Sequence, residues 1–282
     1  SDVCSSDLTQ LMWGARSDVG CVRPHNEDSY LVQSPLFCVC DGMGGHAAGE
    51  VASSIAVETI AKTAPQSADA ARLAAAVEAA NAAVIEAALN GLGKPGMGCT
   101  ATCAYIENDT FAIAHVGDSR AYLLHEGTLI RVTRDHSYVE ELVDAGEITA
   151  DEARVHPNRS VITRALGSDP AMYADHFTLH IEEGDRLILC SDGLSSMIPD
   201  SDIENIATQS STAQICVDNL VDAALAAGGH DNVTVVVVDL VDDGVMREAQ
   251  RVRRRNITIA AILALVFVLA AGIWAYTGVT GS

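Results

Sequence analysis

Short apolar runs and helical stripes share the first 240 residues, and their two periodicities separate cleanly. The run 36–40 (LFCVC) is apolar at every position and ends in Asp41-Gly42, so it reads as a strand buried on both sides that enters a turn. The runs 101–106, 110–116, 121–124, 187–190 (LILC) and 233–239 (VTVVVVD) also read as strands. Ala, Val, Ile and Leu recur at helical spacing over 49–61, 68–89, 203–207 and 212–227. Strands and helices are grouped rather than strictly alternating, which predicts antiparallel sheets with helices segregated outside them.

Beyond residue 240 the pattern changes. Residues 241–256 are a short charged linker, basic from Arg247 to Arg255, and 257–276 (ITIAAILALVFVLAAGIWAY) are uninterrupted by charge or proline. Twenty apolar residues at about 1.5 Å each match the hydrocarbon thickness of a bilayer. Trp274 and Tyr276 stand at the far end, where amphipathic rings favour the headgroup interface. The expected organisation is an unstructured or non-native leader over 1–8, a globular domain over 9–240, the basic juxtamembrane linker 241–256, a transmembrane helix over 257–276 and a short extracytoplasmic tail over 277–282. The arginines before the apolar run place the globular domain in the cytoplasm, tethered to the cytoplasmic membrane by a single pass.

Charge sharpens this division. Residues 1–246 carry 12 cationic against 37 acidic side chains, a net −25. Such a surface repels nucleic acid and leaves two readings of the acid, solubility or a cation site. The eight cysteines form no CxxC pair, so they suggest neither a zinc site nor a disulfide framework; Cys38 and Cys40 alternate within an apolar run, as small hydrophobes do.

Several aspartates share one local context at the ends of apolar strands. Asp41 follows FCVC and precedes Gly42; Asp192 follows LILCS and precedes Gly193; Asp231 leads through Asn232 into VTVVVV. Asp28 closes Asn26-Glu27-Asp28, and Asp118 lies in Val116-Gly117-Asp118-Ser119 between two strands. One Asp-Gly is an ordinary turn. Five strand-end aspartates can converge on one rim of a sheet, where hard divalent cations take carboxylate, carbonyl and water oxygens.

The order of these motifs resembles the protein phosphatase 2C family, most closely its bacterial branch. The resemblance rests on Arg23-x-x-x-Glu27-Asp28, Asp41-Gly42-Met43-Gly44-Gly45-His46, Gly117-Asp118-Ser119-Arg120, Ser191-Asp192-Gly193 and Asp231-Asn232, with support from Asp135-His136-Ser137 and the segment 156–167. It covers roughly residues 12–240. It implies an α+β fold, a four-layer α/β/β/α sandwich of two antiparallel sheets flanked by helices. It also implies hydrolysis of phosphoserine and phosphothreonine on proteins by a water bridging two Mn²⁺ or Mg²⁺ ions, with phosphoprotein substrates and an opposing bacterial Ser/Thr kinase as partners.

Roles follow from the resemblance residue by residue. Asp41 bridges two ions, with the Gly42 carbonyl as a further ligand, and Asp192 and Asp231 hold one of them. Glu27 and Asp28 act mainly through metal-bound water, and Arg23 binds the substrate phosphate. Asp118, with Asp192, holds a third ion in bacterial members. Residues from about 137 to 166 form a flap beside the site. Met43 stands where some relatives carry a histidine proposed as general acid, so that role is unassigned; His46 does not inherit it, and His136 and His156 read as structural or flap residues. A phosphoprotein-binding module without activity would have lost metal ligands, and all five aspartates are present.

Overall fold

The computed structural model describes residues 10–44 and 48–241, of which 11–240 pack as one compact unit. The apolar run 257–276, the basic linker beyond Val241, the leader and Gly45-His46 lie outside the described residues. Among the described residues no helix is long and apolar enough to cross a membrane.

Two five-stranded sheets form the centre. One has the order β1 (Gln10–Asp18), β12 (Val233–Val241), β11 (Arg186–Cys190), β8 (Arg120–His125) and β9 (Thr128–Arg131). The other has the order β10 (Asp175–His180), β7 (Thr110–Val116), β6 (Ala101–Glu107), β3 (Leu36–Cys40) and β2 (Ser29–Gln33). The register is antiparallel between β11 and both its neighbours, and between β6 and both of its own. A two-stranded ribbon, β4 (Gly42–Met43) with β5 (Gly98–Cys99), extends the end of β3.

The unbroken apolar character of the central strands now has its reason. In β3, Phe37 and Val39 point between the sheets, where they meet Leu187, Leu189, Val236 and Val238. Leu36, Cys38 and Cys40 point the other way, under α1 (Ala48–Thr63) and α2 (Ala70–Leu89). In β12, Val236 and Val238 face the other sheet, while Val233, Val235 and Val237 lie under α5 (Asp192–Ser195), α6 (Asp200–Gln209) and α7 (Ala213–Ala226). Successive side chains of a strand point to opposite faces, and here both faces are covered. The layers are helix, sheet, sheet, helix, as expected.

Alanine allows α1 and α2 to lie close to each other and to the sheet. Ala52, Ala56 and Ile60 of α1 share a core with Leu73, Val77, Ala80 and Val84 of α2. The Asp69 side chain caps α2 by accepting from the Arg72 N–H at 3.0 Å. A pair of short helices, α3 (Tyr138–Asp144) and α4 (Ala150–Val155), occupies the segment expected to be a flap. Its two ends are stitched to the body. His136 N–H donates to Gly117 O at 2.7 Å, and Cys99 and Leu166 exchange backbone hydrogen bonds at 3.2 and 2.9 Å.

Candidate metal centre and phosphate cleft

Each strand-end aspartate is held by its own local device. Asp41 lies between β3 and β4. Its N–H donates to Thr100 Oγ1 at 2.9 Å, and the Thr100 N–H returns a bond to Asp41 O at 2.9 Å. Thr100 Oγ1 is in turn 2.6 Å from Ser119 Oγ, in the β7–β8 loop that carries Asp118. Gly42 is pressed between backbones: a Cβ there would overlap the carbonyl oxygens of Gly49 and Glu27. Only glycine fits such an approach.

Asp28 is buried, and its Oδ2 accepts from Ser191 Oγ at 2.8 Å and Thr234 Oγ1 at 2.6 Å. Thr234 lies 2.7 Å from Ser17 Oγ, which accepts from Asn26 Nδ2 at 2.8 Å, so a polar chain runs from Asn26 to Asp28. Asp192 is the first residue of the helical turn α5 after Ser191, where a simple turn had been the ordinary reading. A Cβ on Gly193 would overlap the Asn232 carbonyl oxygen, so α5 sits directly against the segment that carries Asp231.

These carboxyls feel one another. Burial, reinforced by the charges of Asp28, Asp192 and Asp118, pushes Asp41 well above the usual carboxylate range. Burial, with Asp192 and Asp135, does the same to Asp118. Asp28 is raised to about 7 by burial and by Asp192 and Asp231, against the two hydroxyl hydrogen bonds that lower it. Asp192 is raised to about 6, first by burial and then by Asp231, with Asp41 and Arg23 acting in the opposite sense. Four acids whose carboxyls are raised by burial and by one another are a costly arrangement unless a cation joins them.

Two atoms identify where that cost is concentrated. Asp28 Oδ1 and Asp118 Oδ1 are buried and have no hydrogen-bond partner among the described residues. Orphaned carboxylate oxygens beside raised carboxyls fit divalent cations that take oxygen ligands. Among the described residues no three acidic, His or Cys side chains close around one point.

The remaining expected residues take different places. Asp231 accepts at Oδ2 from Arg23 Nη2 at 2.7 Å and at Oδ1 from the Asn232 N–H at 2.8 Å. Arg23 therefore reaches the acid cluster, but its guanidinium is engaged by a carboxylate rather than free for an anion. Glu27 is fixed through its backbone, whose N–H donates to Asn232 Oδ1 at 2.8 Å and whose carbonyl accepts from Ser53 Oγ at 2.6 Å. Its carboxylate lies against Gly49. Arg23, Asp118, Asp192 and Asp231 all line a cleft of about 530 Å³ that extends to α3 and α4.

A sequence profile of protein phosphatase 2C matches residues 15–233, most of the chain. The chain belongs to the protein phosphatase 2C family. The serine/threonine protein phosphatase PstP of Mycobacterium tuberculosis is 43% identical over 238 residues, spanning 82% of this chain and 45% of that protein. The serine/threonine phosphatase stp of Listeria welshimeri is 37% identical over 236 residues, spanning 79% of this chain and 94% of that protein. A crystal structure of the PstP catalytic domain in complex with two manganese ions superposes with a TM-score of 0.77 at 40% identity, covering 83% of this chain and all of that one. The chain thus matches less than half the length of the mycobacterial relative.

Within this protein phosphatase 2C fold, the sequence motifs contain residues that fasten the site without showing what they fasten. Asn232 is the main one. Its Nδ2 donates to Val19 O and His25 O, both at 2.9 Å, and its Oδ1 accepts from the Glu27 N–H, so a single side chain joins the N-terminal loop to β12. Its place between an aspartate and a buried strand was the available signal. His136 was read as structural or part of the flap. Its Nδ1 accepts from the Gly117 N–H at 3.0 Å and its Nε2–H donates to Asp175 at 2.9 Å, which ties the Asp118 loop to the root of the flap.

Proposed function

We propose that the chain is a metal-dependent phosphatase acting on phosphoserine and phosphothreonine in proteins. The observation that carries this reading is the cluster of Asp28, Asp41, Asp118 and Asp192, with raised carboxyls and two orphaned buried oxygens. Asp41 and the Gly42 carbonyl, Asp192 and Asp231 hold two Mn²⁺ or Mg²⁺ ions. Glu27 and Asp28 support that pair at longer range, and Asp118 with Asp192 serves a third. When bound, such ions neutralise phosphoryl charge and make water nucleophilic at neutral pH.

The protein's own groups supply the rest. Arg23, half exposed at the cleft, exchanges Asp231 for a substrate phosphate, whose oxygens match the planar guanidinium fork. The Thr100 and Asn232 clamps keep Asp41 and Asp231 from moving as charge shifts in the cleft, which is the preorganisation electrostatic catalysis requires. Met43 offers no proton, so none of the placed side chains is assigned as general acid.

The domain organisation belongs to the same proposal. A catalytic domain over 9–240 is followed by the basic linker 241–256 and a membrane helix over 257–276, with the catalytic domain on the cytoplasmic side, where it opposes a bacterial Ser/Thr kinase. The support is the uncharged twenty-residue run and the arginines before it.

The test is hydrolysis of p-nitrophenyl phosphate and a phosphothreonine peptide. Turnover is expected with Mn²⁺ or Mg²⁺ and none in excess chelator, with Asp41→Asn and Asp192→Asn each nearly inactive. Undiminished turnover in chelator would overturn the reading.

A further inference from the structure

Arginine pairing in the structure is nearly complete. Of the ten arginines among the described residues, Arg16, Arg23, Arg72, Arg120, Arg131, Arg134, Arg164 and Arg186 each lie within ion-pairing distance of a carboxylate. Arg154 and Arg159 do not. In a region with 37 acids to 12 cations, a cation without an acid is the exception. Among the described residues Lys94 is also without one, but only the two arginines line the cleft that holds Asp118, Asp192 and Asp231.

Their setting is specific. Arg154 lies in the last turn of α4, and its Nη1 donates to the backbone carbonyl of Ser195 at 3.3 Å. Ser195 is the last residue of the single helical turn that begins with Asp192. This bond spans the cleft from the α3–α4 segment to the element that carries a site aspartate, and it leaves most of the guanidinium donors open. Arg159 follows in the loop after α4, and none of its side-chain donors is used among the described residues. The cleft wall between them includes Val139, Val143, Ala153 and Met197, apolar side chains suited to a peptide's own.

We propose that Arg154 and Arg159 form a second anion subsite, which selects peptides carrying a second phosphorylated residue a few positions from the one being hydrolysed. The inference rests on the phosphatase reading above and extends it to the choice of substrate. Over one helical turn the backbone rises about 1.5 Å per residue, so Ser195 stands roughly 5 Å from Asp192. An extended peptide advances about 3.3 Å per residue, which places the second phosphate about two residues from the first. A phosphate suits two guanidinium forks better than a single carboxylate does, because it offers three acceptor oxygens and close to two charges. The surrounding acidity raises selectivity, since a peptide without the second phosphate meets a net repulsive surface.

The test uses the full chain with Mn²⁺ and three peptides of one sequence, having one phosphothreonine, a second phosphothreonine two residues away, or glutamate at that second place. The doubly phosphorylated peptide is expected to exceed the singly phosphorylated one in kcat/KM by about tenfold, as for a charge-assisted contact of ordinary strength, with glutamate between them. Arg154→Gln with Arg159→Gln should bring that ratio to within about twofold of one. Lys94→Gln, which removes an exposed positive charge outside the cleft, should leave the ratio unchanged.

Fluorescence anisotropy of the same labelled peptides on metal-free protein is run in parallel. If no peptide is hydrolysed, the phosphatase reading fails, while the binding ratio still decides the subsite. Equal handling of the singly and doubly phosphorylated peptides by the wild type, or an unchanged ratio in the double variant, would overturn the subsite.

Discussion

Thr100 and Asp41 hold each other twice: the Asp41 N–H donates to the Thr100 hydroxyl, and the Thr100 N–H donates to the Asp41 carbonyl, both at 2.9 Å. Through Ser119, 2.6 Å from the same hydroxyl, the clamp also reaches the loop of Asp118. Thr100→Val keeps the shape and removes the acceptor, which leaves a buried N–H unsatisfied. The expected loss is about 2 kcal/mol of stability together with weaker Mn²⁺ binding, and Thr100→Ser should restore both. Thermal unfolding and calorimetric titration of the three proteins check this; normal Mn²⁺ affinity in Thr100→Val would show that the clamp does not position Asp41.

Much of this architecture could be read beforehand, and the reasons are local. The strand Leu36–Cys40 and the strand Thr110–Val116 have the bounds their apolar runs suggest, because nearly every position in them is buried and apolar. The strand Asp175–His180 was missed although its burial alternates perfectly, since the histidines and threonine on it weaken the apolar signal. The strand Gln10–Asp18 was missed for a similar reason, having a single fully buried residue, Gly14. The convergence of Asp28, Asp41, Asp118 and Asp192, whose carboxyls raise one another, could be anticipated from their strand-end settings. Their fastenings could not: Asp28 meets Thr234, and Glu27 meets Asn232, across some two hundred residues of chain. No local pattern encodes such a pair. The pairing of Arg23 with Asp231 was equally hidden.

Gly193 is a position where space alone forbids a side chain. Its added Cβ would collide with the Asn232 carbonyl oxygen and crowd Val233, both backbone atoms of a buried segment that cannot give way cheaply. Gly193→Ala is expected to cost about 3 kcal/mol, the upper part of the usual overpacking range, and to lower Tm by roughly 6–12 °C for a domain of this size. An unchanged Tm in scanning calorimetry would mean that α5 can slide away from Asn232, contrary to the packing described.

His115 makes stability depend on pH with a definite sign. It is buried between Thr102, whose hydroxyl is 2.9 Å from Nδ1, and the Arg134 carbonyl, 3.0 Å from Nε2. Burial first, then the neighbouring His136, lowers it to about 4, while Asp135, the Arg134 carbonyl and Asp175 pull the other way. The unfolded chain therefore takes up a proton near the ordinary histidine value of about 6.5, before the folded protein does. Its contribution is intact above that value and is lost as pH falls toward 4, by about 3 kcal/mol in all. Compared by urea unfolding, the stability advantage of wild type over His115→Asn should shrink across that window. A constant difference, or a His115 resonance titrating near 6.5, would refute the assignment.

Asp118 separates stability from function. Its Oδ1 is buried without a partner, and Asp192 and Asp135 repel its charge. Asp118→Asn removes that repulsion, so the metal-free protein is expected to become more stable. Turnover should fall on the order of tenfold or more, as for other disturbed outer positions of metal sites, with the two tightest Mn²⁺ sites retained in calorimetry. Loss of either tight site would move Asp118 into the two-ion core. A lower Tm for the metal-free variant would show that the carboxylate is stabilised in a way its surroundings do not suggest.

Topology is set by residues beyond the compact unit. Arg251, Arg253, Arg254 and Arg255 immediately precede the uncharged run 257–276, while 277–282 carry no charged side chain. Arginines flanking a membrane helix are retained on the cytoplasmic side, so the proposed membrane helix is expected to leave the catalytic domain there and the C-terminus outside. In that arrangement the same arginines would attract anionic headgroups at about 1 kcal/mol each, against the repulsion of residues 1–246, whose net charge is −25. Alkaline phosphatase fused after Ser282 should be active in a bacterial host, and green fluorescent protein at the same place, exported by the Sec route, should be dark. The reverse pattern would sink the orientation. Replacing the four arginines with glutamine should scramble it while leaving the turnover of p-nitrophenyl phosphate by the detached catalytic domain unaltered.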